Sequence, residues 1–131
     1  MAKAEAAVDK LAAVYPEYAR RDIVELDHYA DQMASDHDSR RAHYGEILRI
    51  AHDMRGQGAL FGYPLMTRCA GSLCRATRMV AAHDHAILGI VRVHTTAMRA
   101  ILETGVMGIE DRSALAIATG LEILVSTRTT R

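Results

Sequence analysis

The sequence predicts an all-α fold: an antiparallel up-down-up-down four-helix bundle with additional short helices at its N- and C-terminal ends. Three observations predict it. Apolar residues recur at three- and four-residue spacing along most of the chain, while the alternation expected of strands is nearly absent. Half of the 131 residues are hydrophobic but only 5% are aromatic, and a core of Ala, Leu, Ile, Val and Met suits the packing of cylinders against one another. The breaks between periodic segments are short and rich in Gly, Pro, Ser and Asp, so successive long helices should be antiparallel neighbours. Residues 1–131 fit one domain.

The elements follow in order. A short helix is expected from about Lys3 to Tyr15, ended by Pro16. Pro16 then opens the next helix, on which Ala19, Ile23, Leu26, Ala30 and Met33 share a stripe. The polar run Ser35-Asp36-His37-Asp38-Ser39 interrupts the pattern and supplies N-caps for a third helix, about Ser39 to Leu60. Phe61-Gly62-Tyr63-Pro64 puts Gly at a helix end and Pro at the next start. The helix after it carries Leu65, Cys69, Leu73, Ala76 and Val80 on one side. Another begins near Asp84, with Ile87, Val91, His94, Met98 and Ile101 on its seam, and stops near Gly105. Gly105-Val106-Met107-Gly108 is expected as a loop. The last helix, roughly Glu110 to Thr127, should bury Leu115, Ala118, Leu121 and Val125.

Composition narrows the function. Lys plus Arg equals Asp plus Glu, 16 each, which argues against a nucleic-acid binder with its basic footprint. Cys69 and Cys74 lie five apart on one expected helix, point in different directions, and form no CxxC pair. A reduced, cytoplasmic compartment is the simplest expectation. The N-terminus carries charges where a signal core would be apolar, and no run of about 18 apolar residues is present.

The third helix holds the informative residues. On a 100° projection Ile47, Ile50, Met54 and Phe61 fall on the core side. His52 points nearly opposite, with Arg55 and Gly56 one turn on and Leu48 and Arg49 one turn back. Gly56 and Gly58 inside a helix each cost roughly 1 kcal/mol against Ala. A missing side chain at 56 leaves room for another surface to approach the imidazole. Neutral imidazole is a nucleophile near neutral pH. A cation one turn away suits phosphoryl transfer, in which positioning and charge compensation are most of the catalysis.

His52-Asp53-Met54-Arg55-Gly56, with Gly62 six residues further on, resembles the H-x-L-K-G signature of histidine phosphotransfer domains. The motif covers about a dozen residues, and the order of helices agrees over most of the chain. Met54 stands for the family's Leu, a conservative core exchange, and Arg55 for its Lys, which keeps the charge but alters its reach. The resemblance implies a phosphorelay intermediate of two-component signal transduction. His52 would be the phosphoacceptor and Arg55 the support for the phosphoryl group, while Gly56 admits the receiver. Leu48, Arg49 and Ala59 complete the expected docking face. The implied partners are response-regulator receiver domains and hybrid sensor kinases. No cofactor is expected on this chain, Mg²⁺ belonging to the partner receiver, nor any ATP-dependent kinase activity of its own.

Other readings stand beside this one. Most helical histidines are plain surface residues; His83 and His85 are expected at a helix start, His43 near a loop on the core side, and His94 as a hydrogen-bonded core residue. Glu25-x-x-His28 is one half of a di-iron bundle pattern whose second half is missing from the other helices. A metal- or oxygen-binding four-helix bundle and a non-phosphorylated helical interaction module are therefore the competing functions. The phosphoacceptor domain of a histidine kinase would need an acidic residue after its His and a Pro about five positions on; Asp53 follows His52, but Gly56 and Gln57 come next. Gly58 is expected to serve close helix packing or a bend, and Asp53 to point about 100° away from His52.

Overall fold

The computed structural model describes residues 2–104 and 111–129, and those residues form five α-helices and no strands. They are α1 (Ala2–Ser35), α2 (Arg40–Phe61), α3 (Pro64–Met79), α4 (Ala86–Thr104) and α5 (Arg112–Thr129). The expected Gly105–Gly108 loop and Glu110 lie outside the described residues. None of the described helices is long and apolar enough to cross a membrane.

The first helix departs from expectation. Pro16 neither ends one helix nor starts another: α1 runs through it for 34 residues. Proline lacks the N–H that would bond to the carbonyl four residues back, and this normally breaks or kinks a helix at a cost of about 3 kcal/mol. Here the orphaned carbonyl is that of Ala12, and the Tyr63 hydroxyl donates to it at 2.9 Å. Tyr15 reinforces the junction, its ring 4.4 Å from that of Tyr63 and 6.0 Å from that of Phe61. Among the described residues there is accordingly no separate short N-terminal helix. The C-terminal helix, at 18 residues, is not short either.

The remaining boundaries follow local chemistry. Asp36 accepts the Ser39 N–H at 3.2 Å ahead of α2, while the Ser39 side chain makes no capping bond. Gly62 ends α2 in the left-handed region, at φ 79°, where a side chain would be strained, and Pro64 opens α3. The Asp84 carboxylate accepts the Ala86 N–H at 2.9 Å and starts α4. Arg40 is buried and donates to Met33 O at 2.9 Å and Ala82 O at 2.5 Å, which places a cation on the last turn of α1.

The expected stripes form the core. Ala19, Ile23, Leu26, Ala30 and Met33 of α1 are buried together with Ile47, Ile50 and Met54 of α2, Leu65, Cys69 and Leu73 of α3, and Ile87, Val91, Met98 and Ile101 of α4. Phe61 and Leu115 are only partly buried against it. Helix α1 packs on α2 and α4, α3 packs on α2, α4 and α5, and α4 also touches α5. The α2–α3 pair is antiparallel: Gly58 meets Thr67 and Arg55 meets Gly71, while the Tyr44 hydroxyl bonds to Thr77 O at 2.8 Å and also to Val80 O.

Candidate functional site

Helix α2 presents its histidine outward because Ile47, Ile50, Ala51 and Met54 hold the opposite side in the core. The His52 side chain is 68% exposed. Two surface clefts meet at it. One, of about 250 Å³, is lined by His52, Asp53, Gly56, Gln57 and Leu60. The other, of about 310 Å³, is lined by Gly45, Leu48, Arg49, His52 and Arg78.

Gly56 is exposed, and a Cβ built there would meet nothing within 4 Å. The helix thus gains no packing from this glycine, and its propensity cost of about 1 kcal/mol against Ala is not recovered in the fold. Gly58 is different: its Cβ would stand 2.6 Å from Thr67 Oγ1, so glycine there permits the close approach of α3.

Charge is distributed unevenly around the imidazole. On the α1 side, Arg49 is held by Glu46 at 2.9 Å and by Asp53 at 3.3 Å. Asp53 also approaches the ring, its Oδ1 3.9 Å from His52 Nδ1, nearer than the helical projection suggests but beyond hydrogen-bond distance. Burial, then the neighbouring Glu25 and Asp53 charges, raise the Asp22 carboxyl above its ordinary value, with Arg49 opposing. On the α3 side stand Arg55, Arg75 and Arg78, all exposed.

Of the residues expected to form the docking face, Gly56, Leu48 and Arg49 line a cleft with His52, while Ala59 is exposed but lines neither cleft. Arg55 lies in neither cleft; its Cδ runs beside Gly71 of α3, 3.6 Å from where a Cβ on that glycine would sit. Arg78, Gln57 and Leu60 were not anticipated. Arg78 could have been found by reflecting α2 across the two-residue Gly62–Tyr63 turn, which brings it opposite Leu48.

The other histidines occupy ordinary places. His94 is fully buried, with Nδ1 2.7 Å from Ile90 O and Nε2 2.9 Å from Ser72 Oγ. A carbonyl only accepts, so Nδ1 carries the proton and Nε2 accepts from the serine hydroxyl. Burial holds the His94 pKa below its ordinary value, with the Ile90 hydrogen bond opposing. His43 is part-buried, 3.4 Å from Asp36 Oδ2, and His83 and His85 are exposed. Among the described residues no group of three or more His, Cys, Asp and Glu side chains is placed to hold a metal ion. Cys69 and Cys74 are buried free thiols; desolvation pushes the Cys69 thiol up to about 12, which leaves it unreactive.

The fold and site together define an all-α protein with a solvent-facing histidine in the middle of its second helix. No protein-family model matches the chain, and no curated protein or solved structure matches it.

Proposed function

We propose that the chain is a phosphorelay intermediate, a histidine phosphotransfer protein that receives a phosphoryl group on His52 from a receiver aspartate and passes it to another receiver. The observation that carries this reading is the exposed His52 imidazole beside an exposed glycine whose missing side chain leaves open space. The packing of α1 on α2 and α4, and of α3 on α2 and α4, supports an up-down-up-down four-helix bundle with α5 outside it. Such a bundle holds α2 rigid while leaving one face of it to a partner.

In the proposed step, His52 Nε2 attacks the phosphorus of an aspartyl phosphate. The N–P bond forms as the P–O bond to the receiver breaks, and the receiver carboxylate leaves with the electron pair. The proton stays on Nδ1, where the Asp53 carboxylate, 3.9 Å away, offsets the positive charge the ring acquires. The reverse step delivers the group to a second receiver aspartate. Mg²⁺ is supplied by the receiver, and the partners are receiver domains, free or fused to hybrid sensor kinases, working in the cytoplasm.

The test is incubation with a panel of phosphorylated receiver domains, followed by acid- and base-lability of the label. The expected label is acid-labile and base-stable. His52→Gln should fold with an unchanged circular dichroism spectrum and accept none. Labelling of the His52→Gln protein at the wild-type rate, or autophosphorylation of the wild type from ATP alone, would overturn the reading.

A further inference from the structure

We propose that Arg78, at the end of α3, forms a phosphoryl-oxyanion subsite beside His52, so that the phosphorylated imidazole is held from the neighbouring helix. This inference rests on the phosphorelay reading above. Its geometry comes from the α2–α3 hairpin. The contacts of Gly58 with Thr67 and of Arg55 with Gly71 set an antiparallel register that carries Arg78 to the level of Leu48, one turn before His52. The Tyr44 hydroxyl, bonded to Thr77 O and Val80 O on either side of Arg78, fastens this end of α3 to α2.

The cleft of about 310 Å³ between the two helices is lined by two guanidiniums, Arg49 and Arg78, and by no carboxylate. Arg49 is already engaged by Glu46 and Asp53. Arg78 makes no ion pair or hydrogen bond among the described residues, so its donor fork is uncommitted. The floor at Gly45 is open, since a Cβ there would meet nothing within 4 Å.

The field across the imidazole points the same way. Asp53 stands beside the ring on the α1 side, with Asp22 and Glu25 behind it. A phosphoryl group carrying one to two negative charges is repelled from that side and drawn toward the arginines of α3. Arg55 is the residue the sequence motif marks for this role, yet it shares neither cleft with His52, whereas Arg78 shares one. A planar guanidinium at that position can give two parallel hydrogen bonds to phosphoryl oxygens.

The experiment uses phosphoramidate, a small donor that needs no receiver. The imidazole nitrogen attacks phosphorus, the N–P bond of the zwitterionic donor breaks, and its nitrogen leaves with the electron pair as neutral ammonia, while the ring keeps its proton on the other nitrogen. The rate of labelling at His52, resolved by mass spectrometry, is measured for wild type, Arg78→Ala, Arg78→Lys and Arg55→Ala. Arg78→Ala should label roughly three- to tenfold more slowly, the size of one net hydrogen bond in a solvent-exposed site, and Arg78→Lys should recover part of the loss. The phosphohistidine of Arg78→Ala should also show a phosphorus-31 shift whose pH midpoint lies higher than in wild type, because a cation that favours the dianion has been removed. Rates and midpoint indistinguishable from wild type, or a loss confined to Arg55→Ala, would overturn the subsite while leaving His52 as the acceptor. No label at His52 from either phosphoramidate or receivers would instead sink the phosphorelay reading, and the subsite with it.

Discussion

A Cβ added at Gly56 would meet nothing within 4 Å, whereas one added at Gly58, two residues on in the same helix, would lie 2.6 Å from Thr67 Oγ1 and 3.1 Å from Thr67 N. The two glycines divide α2 into a face kept bare and a face kept close. At Gly58 the missing side chain serves packing, because a Cβ there would force Thr67 of α3 to shift. At Gly56 no contact in the fold calls for a missing side chain, since a Cβ there would stand in open space. The same residue type is structural on one side of the helix and, on the proposed function, an opening for a partner on the other.

The contrast can be broken at the glycines themselves, where the largest effect is expected. Gly58→Ala should lose stability, by about 1–3 kcal/mol from overpacking, even though alanine is the better helix former by roughly 1 kcal/mol. Thr67 cannot simply rotate away without cost: its hydroxyl donates to Tyr63 O at 3.1 Å, and its backbone N is also in the way. Gly56→Ala should instead gain about 1 kcal/mol. Gly56→Leu should fold at least as well as wild type yet transfer phosphate from receivers far more slowly. Thermal melts and transfer rates check both. If Gly56→Leu is stable and transfers normally, the receiver does not dock over this face; if it unfolds, the helix is oriented differently.

A second contrast sets His52 against His94, one in solvent and one fully buried. Burial lowers the His94 pKa below its ordinary 6.5, so the folded state binds this proton less readily than the unfolded state. By linkage its contribution is present above pH 6.5 and is lost as pH falls from there toward the lowered folded value. Melting temperature should therefore decline as pH falls below about 6.5, while the carboxylates held low, Asp36 and Glu122, still keep their charge. His94→Gln should flatten that slope. An unchanged slope in the variant would mean another group carries the acid sensitivity.

How much of this could be read in advance depends on whether the cause was local. The exposure of His52 follows from its angle to Ile47, Ile50 and Met54, and the helix ends at Ser39, Gly62 and Pro64 follow from residues within a turn of each boundary. The inward stripes of α1 and α4 were equally visible, since periodicity is a property of neighbouring positions. What escaped was non-local. Arg78 reaches the His52 cleft only through the register of a hairpin, and Arg55, adjacent on the helical projection, is drawn along Gly71 instead. Asp53 comes nearer to His52 than a projection by Cα angle allows, because Arg49 holds its carboxylate. Pro16 looks like a helix end in the sequence because the group that repairs it lies 51 residues away from Ala12.

That repair supplies the smallest of the expected effects and the finest test of the close-packed side of the molecule. The Tyr63 hydroxyl is bonded to the one α1 carbonyl that Pro16 deprives of its intrahelical partner. Tyr63→Phe keeps the ring against Tyr15 and removes only that donor, so it should cost about 1 kcal/mol. Pro16→Ala restores an N–H four residues after Ala12, and the carbonyl then has a partner within its own helix. In the Pro16→Ala background the Tyr63→Phe change should cost less, giving a coupling of about 0.5–1 kcal/mol in a double-mutant cycle of denaturant melts. Strict additivity would mean that the hydroxyl bond is incidental to the proline, and that α1 tolerates Pro16 for another reason. Coupling of the expected sign would show that the Gly62–Tyr63 turn, besides setting the register of α2 and α3, offsets part of the cost of Pro16 in α1.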